Sequence, residues 1–125
     1  MTAMTPFPVA MTIRQWQVVD SVVDNEVNTR AEEGDDHFVD VGMSVREAGW
    51  DQLTGESRTW PAGDQGVTVA LNLEQWGLVV SSLAVQMTIE VDEPVGDPAD
   101  SLQTIRDLIT AQVANPLPEF PLPED

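Results

Sequence analysis

The sequence predicts a mainly helical fold with a small β component: two tandem strand-helix-helix repeats, related by a pseudo-twofold axis, that place four helices beside a two-stranded ribbon. The first observation is an internal repeat, because residues 9–16 (VAMTIRQW) return sixty residues later as residues 69–76 (VALNLEQW), and matches continue without a gap to Gln52 and Gln112. Self-similarity at a fixed period indicates a duplicated module. The second observation is that apolar residues recur at helical spacing in both copies.

Each repeat begins with a short extended run, residues 7–11 in the first and 67–71 in the second. We expect the two runs to pair across the axis, although two strands alone are marginal and the helices must supply most of the stability. Thr12 and Asn72 follow the runs. Both residue types cap helices well, because the side-chain oxygen accepts a hydrogen bond from a free amide of the first turn.

The long helix of each repeat is predicted from a single apolar stripe, in which Trp16 and Trp76 hold equivalent positions and should be buried equally. In the second repeat, residues 86–91 are rich in alternating β-branched side chains, so the alternative is that this segment ends as a strand. The stripe residues are Ile13, Trp16, Val19, Val23, Val27 and Ala31 in the first repeat and Leu73, Trp76, Val79, Leu83, Met87 and Val91 in the second.

Acidic turns at residues 32–36 and 92–98 precede second helices, which we expect at about 38–53 and 99–114. Gly42 and Gly49 should weaken the first of these by up to about 1 kcal/mol each relative to Ala, unless they permit close helix contact. The predicted inward residues are Phe38, Val41, Val45 and Ala48 in one helix and Leu102, Ile105, Leu108 and Ile109 in the other.

The expected organisation is one domain, residues 1–114, built from repeats at about 7–54 and 67–114 with a loop between them. Residues 115–125 hold four prolines. Because proline removes a backbone donor and restricts φ, we expect this tail to be extended.

Charge is the second strong feature, since 22 Asp and Glu against 5 Arg, with no Lys, give a net charge of −17. Such a chain repels nucleic acid and anionic lipid and favours basic partners. The alternative is that the acids only keep a small protein soluble or adapt it to high salt. The lack of Cys, of a basic N-terminal region and of a long apolar stretch predicts a cytoplasmic protein without disulfides.

The chain shows no pattern of catalytic or metal-binding residues. It lacks a G-x-S-x-G motif and a Gly-rich phosphate loop, and His37 is its only histidine. The acidic turns follow neither calcium-loop nor zinc spacing. We therefore expect no enzymatic activity, no metal and no cofactor.

Acids on the second helices are the candidate partner-binding residues. Asp40 and Glu47 recur as Asp100 and Asp107. Seven residues span about 10.5 Å along one side of a helix. Asp51 adds a further acid one turn beyond Glu47. The alternative is that these are ordinary solvated helix faces.

Trp60 is a different kind of candidate, because this loop residue has no tryptophan partner in the other repeat. An aromatic side chain on a connector can anchor a partner. Packing of Trp60 over the ribbon is the structural alternative.

Residues 11–16 (MTIRQW), the following acidic Gly-Asp turn and a helix ending in Val-Arg or Ile-Arg resemble the short acidic proteins with an L-T-x-x-Q-W helical hairpin found in actinobacteria and their phages. The resemblance spans both repeats and implies a small accessory or phage-type protein without a defined substrate. Together with the charge, it predicts a non-enzymatic acidic protein-binding protein, such as a phage-type inhibitor or DNA mimic, on a basic surface of a host protein. The alternative is a structural or self-associating helical module that dimerises through Val18, Val22, Leu78 and Val85.

Overall fold

The computed structural model describes residues 6–55, 59–89 and 101–113. These residues form four helices and an antiparallel two-stranded ribbon, which confirms the predicted fold class. Residues 86–89 are helical, so the alternative strand does not form there. The elements in chain order are β1 (Phe7–Thr12), α1 (Ile13–Glu32), α2 (Asp36–Thr54), β2 (Gly66–Leu71), α3 (Leu73–Ile89) and α4 (Leu102–Gln112).

The ribbon is centred on a pair of repeat equivalents. β1 and β2 pair antiparallel, with Val9 opposite Val69. These two residues lie sixty positions apart, which is the period of the repeat. A pseudo-twofold axis through this pair would relate each strand to the other, and superposition of the two halves would test that relation.

The outer edges of the ribbon are bound by glutamine side chains from the opposite repeat. The Gln52 amide accepts from the Ala70 N–H (2.8 Å) and donates to the Ala70 carbonyl (2.9 Å). The Gln112 amide makes the same two bonds with Ala10, at 2.8 and 3.0 Å. Each glutamine therefore satisfies backbone groups that an edge strand would otherwise leave open.

Both long helices begin at the predicted caps. The Thr12 hydroxyl accepts from the Gln15 N–H (3.1 Å), and the Gln15 side chain accepts from the Thr12 N–H (2.9 Å). Asn72 and Gln75 make the equivalent pair of bonds, both at 2.8 Å. This reciprocal pattern is a capping box, which satisfies two free donors at each helix start.

The core lies between the ribbon and the inward faces of the helices. Trp16 and Trp76 are both fully buried. Ala31 is exposed, because it lies in the last turn of α1 beside the chain reversal at Gly34, so its assignment to the buried stripe is wrong. The other predicted stripe and inward residues that the structure describes are buried or half-buried.

Two glycines of α2 allow close packing against α1. A Cβ added at Gly49 would overlap the indole ring of Trp16, and one added at Gly42 would overlap Val27 Cγ2. Both glycines are buried. The close helix contact therefore explains glycines that would otherwise only weaken the helix.

Several predictions lie outside the described residues. They include the acidic turn at 92–98, the first residues of the predicted helix 99–114 and the tail at 115–125. Within the described part, α4 is capped by Ser101, whose hydroxyl accepts from the Thr104 N–H at 3.2 Å. No helix among the described residues is both long enough and apolar enough to cross a bilayer.

Candidate functional site: an acidic helix face and a tryptophan cleft

Three of the predicted partner-binding acids share the outer side of α2. Asp40, Glu47 and Asp51 are all exposed on this helix. With about 100° between successive helical residues, their directions fall within about 40° of one another. Asp107 is exposed on α4 and so belongs to a different element, while Asp100 lies outside the described residues. We call Asp40, Glu47 and Asp51 the acidic face.

Arg46, which belongs to α2, is bound to carboxylates of α1. Its Nε donates to Asp20 Oδ1 at 3.0 Å, and its Nη1 donates to Asp24 Oδ1 at 2.7 Å. The hydrogen bond to Asp20 is the main reason that the pKa of Arg46 lies above its ordinary value, and both carboxylates add to the effect by attraction. This guanidinium therefore remains charged and links the two helices.

Arg30 is held in the same way at the turn between α1 and α2. Its Nη1 donates to Asp35 Oδ2 at 3.3 Å, and its Nε lies 3.9 Å from Glu26 Oε1. The guanidinium also lies 4.7 Å from the centre of the Phe38 ring, within the range of a cation–π contact. Arg30 and Arg46 thus interact with acids of their own chain and do not compensate the acidic face.

A cleft beside the acidic face brings together Glu47 and Trp60, two residues that the sequence analysis selected separately. The cleft has a volume of about 510 Å³. Trp50 and Trp60 meet edge to face, with ring centres 5.1 Å apart and planes at 84°. We call this the tryptophan cleft; its lining residues are Asp20, Met43, Arg46, Glu47, Trp50 and Trp60.

Most residues of the tryptophan cleft were not predicted as site residues from the sequence. Met43, Glu47 and Trp50 follow one another at four- and three-residue spacing, and Arg46 lies four residues before Trp50, so all of them belong to one strip of α2. The spacing alone could have indicated that these residues lie together on one side of the helix. Met43 in this strip is 47% exposed. Asp20 comes from α1 and could be assigned only after the packing of the two helices was known.

The histidine and the acidic side chains outside the acidic face can be followed only where the structure describes them. His37 is exposed, and its Nε2 lies 3.2 Å from Glu74 Oε2. No group of three or more His, Cys, Asp or Glu side chains within the described ranges could hold a metal ion.

The apolar surface proposed for the alternative, a self-associating module, is largely interior. Leu78 is fully buried and Val22 is 6% exposed, while Val18 is half-buried. Only Val85, at 37% exposure, lies at the surface. The expectation that these four residues together form a dimer face is therefore wrong, because packing of the helices covers Leu78 and Val22.

Compared with protein-family models, with curated proteins and with solved structures, the chain matches none. Its function must therefore be inferred from the acidic face and the tryptophan cleft.

Proposed function

We propose that this protein is a non-enzymatic, acidic protein-binding protein that occupies a basic surface of a partner, as phage-type inhibitors and DNA mimics do. The observation that carries the proposal is the acidic face of α2, where Asp40, Glu47 and Asp51 are exposed and aligned. The partner is a protein of the same compartment, and the lack of cysteine suits a reducing cytoplasm. Direct binding to nucleic acid is disfavoured by the net charge of −17.

The acids of this face are exposed on a helix whose position is fixed. Asp40, Glu47 and Asp51 project from a helix that is fixed to α1 by Arg46, so their spacing is preorganised. A complementary basic patch would be steered toward them and would bind in a defined orientation.

The spacing of the acids also limits how literally DNA could be imitated. Residues 40 and 51 are separated by about 16.5 Å of helix rise, so the three charges, with two intervals between them, lie about 8 Å apart on average. One strand of DNA carries a charge about every 3.4 Å. The face therefore supports binding to a basic protein surface in general, and imitation of a duplex would require the acids of other elements as well.

Capture of a partner by the immobilised protein, with ionic strength as the variable, tests the proposal. We expect a basic protein to be retained at about 0.05 M salt and released at about 0.5 M, because screening shortens the range of surface electrostatics. Retention that does not change with salt would contradict the proposal.

A pair of charge-matched variants tests the location. Asp40→Arg with Glu47→Arg should abolish capture, whereas Glu32→Arg with Asp64→Arg should leave most of it, since both control residues are exposed acids that lie outside α2. Each double variant raises the net charge by the same amount. Equal loss in both would show that only the total charge matters and would overturn the assignment to α2.

A further inference from the structure

We propose that the tryptophan cleft receives an arginine side chain of the basic partner, so that the cleft is the specific anchor within an otherwise electrostatic interface. This inference rests on the proposed function and names the group that the partner must supply. Its basis is the combination of an aromatic corner, an exposed methionine and excess negative charge in one concave site.

The shape of the cleft suits one long side chain. Its volume of about 510 Å³ lies within the range of small-ligand pockets. The indole planes of Trp50 and Trp60 stand nearly at right angles, so the two rings form a corner and not a flat stack. Met43 adds an unbranched, flexible side chain that can adapt its shape to a bound group.

The charge in and beside the cleft favours a cation. Three carboxylates, those of Asp20, Asp24 and Glu47, accompany one guanidinium, that of Arg46, which leaves a net charge of −2. Arg46 directs its Nε and Nη1 to Asp20 and Asp24. Glu47, one turn from Trp50 on the same strip of α2, makes no ion pair with another described residue and is the acid available to a partner.

An arginine fits this set of groups better than a lysine does. The guanidinium is planar, stacks on aromatic faces and bonds a carboxylate through two parallel N–H groups. A lysine ammonium is more strongly hydrated and offers a point charge without a flat surface. The cleft offers both kinds of partner that a guanidinium uses, because two tryptophans and Glu47 line it.

The residues of the cleft are not needed to form the second helix of a repeat. Sixty residues after Met43 and Trp50 the chain has Gln103 and Thr110, and α4 forms with these residues in place. Asp107 occupies the position equivalent to Glu47, and Thr110 stands in place of Trp50. Asp107 thus provides an internal control, because it is an exposed helical acid of the same charge that lacks the tryptophan which follows Glu47 by one turn.

The indole N–H signals of the intact ¹⁵N-labelled protein provide a direct assay. N-acetyl-arginine amide is titrated into the protein at about 0.05 M salt, and the four tryptophan signals are followed in ¹H–¹⁵N spectra. We expect saturable shifts for Trp50 and Trp60, while the fully buried Trp16 and Trp76 serve as unperturbed references. The citrulline analogue, which is uncharged, and the lysine analogue should each produce much smaller shifts.

Two variants locate the binding groups. Glu47→Gln should weaken arginine binding about two- to fivefold, as expected for one partly screened ion pair, whereas Asp107→Asn, with the same change in net charge, should leave binding unchanged. Trp60→Phe retains an aromatic ring and should weaken binding less than Trp60→Ala does, with folding of both checked by circular dichroism.

The outcomes separate this inference from the proposed function. Equal shifts with the arginine, citrulline and lysine probes, or shifts that survive Glu47→Gln unchanged, would overturn the arginine anchor. Suppose that the wild-type protein captures a basic protein in a salt-dependent way and that the Trp60→Ala and Glu47→Gln variants capture it as well as the wild type does. The arginine anchor is then refuted and the proposed function stands. If the arginine probe shifts Trp50 and Trp60 but no basic protein is captured, the anchor stands and the proposed function fails.

Discussion

The two equivalent tryptophans differ in one hydrogen bond, and that difference should be measurable. The Trp76 Nε1–H donates to the Phe7 carbonyl at 2.8 Å, which ties α3 to the start of β1. The Trp16 Nε1–H is buried and finds no acceptor among residues 6–55, 59–89 and 101–113. Both side chains are fully buried, so replacing either indole with a phenyl ring removes a similar amount of buried surface.

We expect Trp76→Phe to destabilise the protein more than Trp16→Phe does. Both variants incur a comparable cost for lost packing, but the first also removes a hydrogen bond, whereas the second removes a donor that is buried without a partner. A lost hydrogen bond and an unsatisfied buried group each cost about 1 kcal/mol or somewhat more, so the free energies of unfolding should differ by about 1–2 kcal/mol. For a domain of this size the difference corresponds to roughly 3–8 °C in unfolding temperature.

Urea denaturation followed by far-ultraviolet circular dichroism measures this difference without relying on tryptophan fluorescence. The slopes of the two transitions should agree, since both variants expose similar surface on unfolding. Equal free energies of unfolding for the two variants, or a larger loss for Trp16→Phe, would contradict the prediction that the indole hydrogen bond of Trp76 adds to stability. If the two sites are independent, the loss of unfolding free energy in the double variant, Trp16→Phe with Trp76→Phe, should be close to the sum of the two single losses.

Three further outcomes follow from the packing, the ribbon edges and the charge. Gly49→Ala should lower the free energy of unfolding by about 1–3 kcal/mol, because the added methyl group would overlap Trp16, whereas Gly66→Ala, where nothing lies within 4 Å of the added carbon, should change it little in thermal melts. Gln52→Ala and Gln112→Ala should each lower the free energy of unfolding by about 1 kcal/mol in urea denaturation and increase light scattering on heating, since each exposes a strand edge. A double variant that is as stable as the wild type and does not aggregate would contradict this role of the two glutamines. Added NaCl should raise the unfolding temperature of the wild-type chain from its value at low ionic strength, because screening reduces the self-repulsion of a protein with a net charge of −17, and a flat salt dependence would contradict this reasoning.

Most of the fold could be predicted because it depends on local patterns. The caps at Thr12 and Asn72 and the apolar spacing behind them are set within a few residues, and both appear in the structure as predicted. Burial of Trp16 and Trp76 follows from their place on the stripes. Periodicity shows which face of a helix turns inward, but it does not show which helix covers that face.

The candidate site was only partly predictable. Glu47 and Trp60 were selected from the sequence for different reasons, and the structure brings them to one cleft. Asp20 joins them from another helix, and Trp50 meets Trp60 across the connector. No local rule relates these positions, because their proximity depends on how α1, α2 and the segment before β2 pack together.

The sequence by itself determined the starts of the two long helices, most of their buried stripes and the strongly acidic balance, since each of these depends on residue types and spacings along the chain, while the structural equivalence of the two repeats stays a prediction. Tertiary structure alone decided that Gln52 binds β2 and Gln112 binds β1, that Gly49 admits the Trp16 ring and that Leu78 and Val22, proposed for a dimer surface, are buried. The physical reason is that backbone propensity and periodicity act over a few residues, whereas close packing and hydrogen bonds between distant residues depend on the arrangement of all the elements at once.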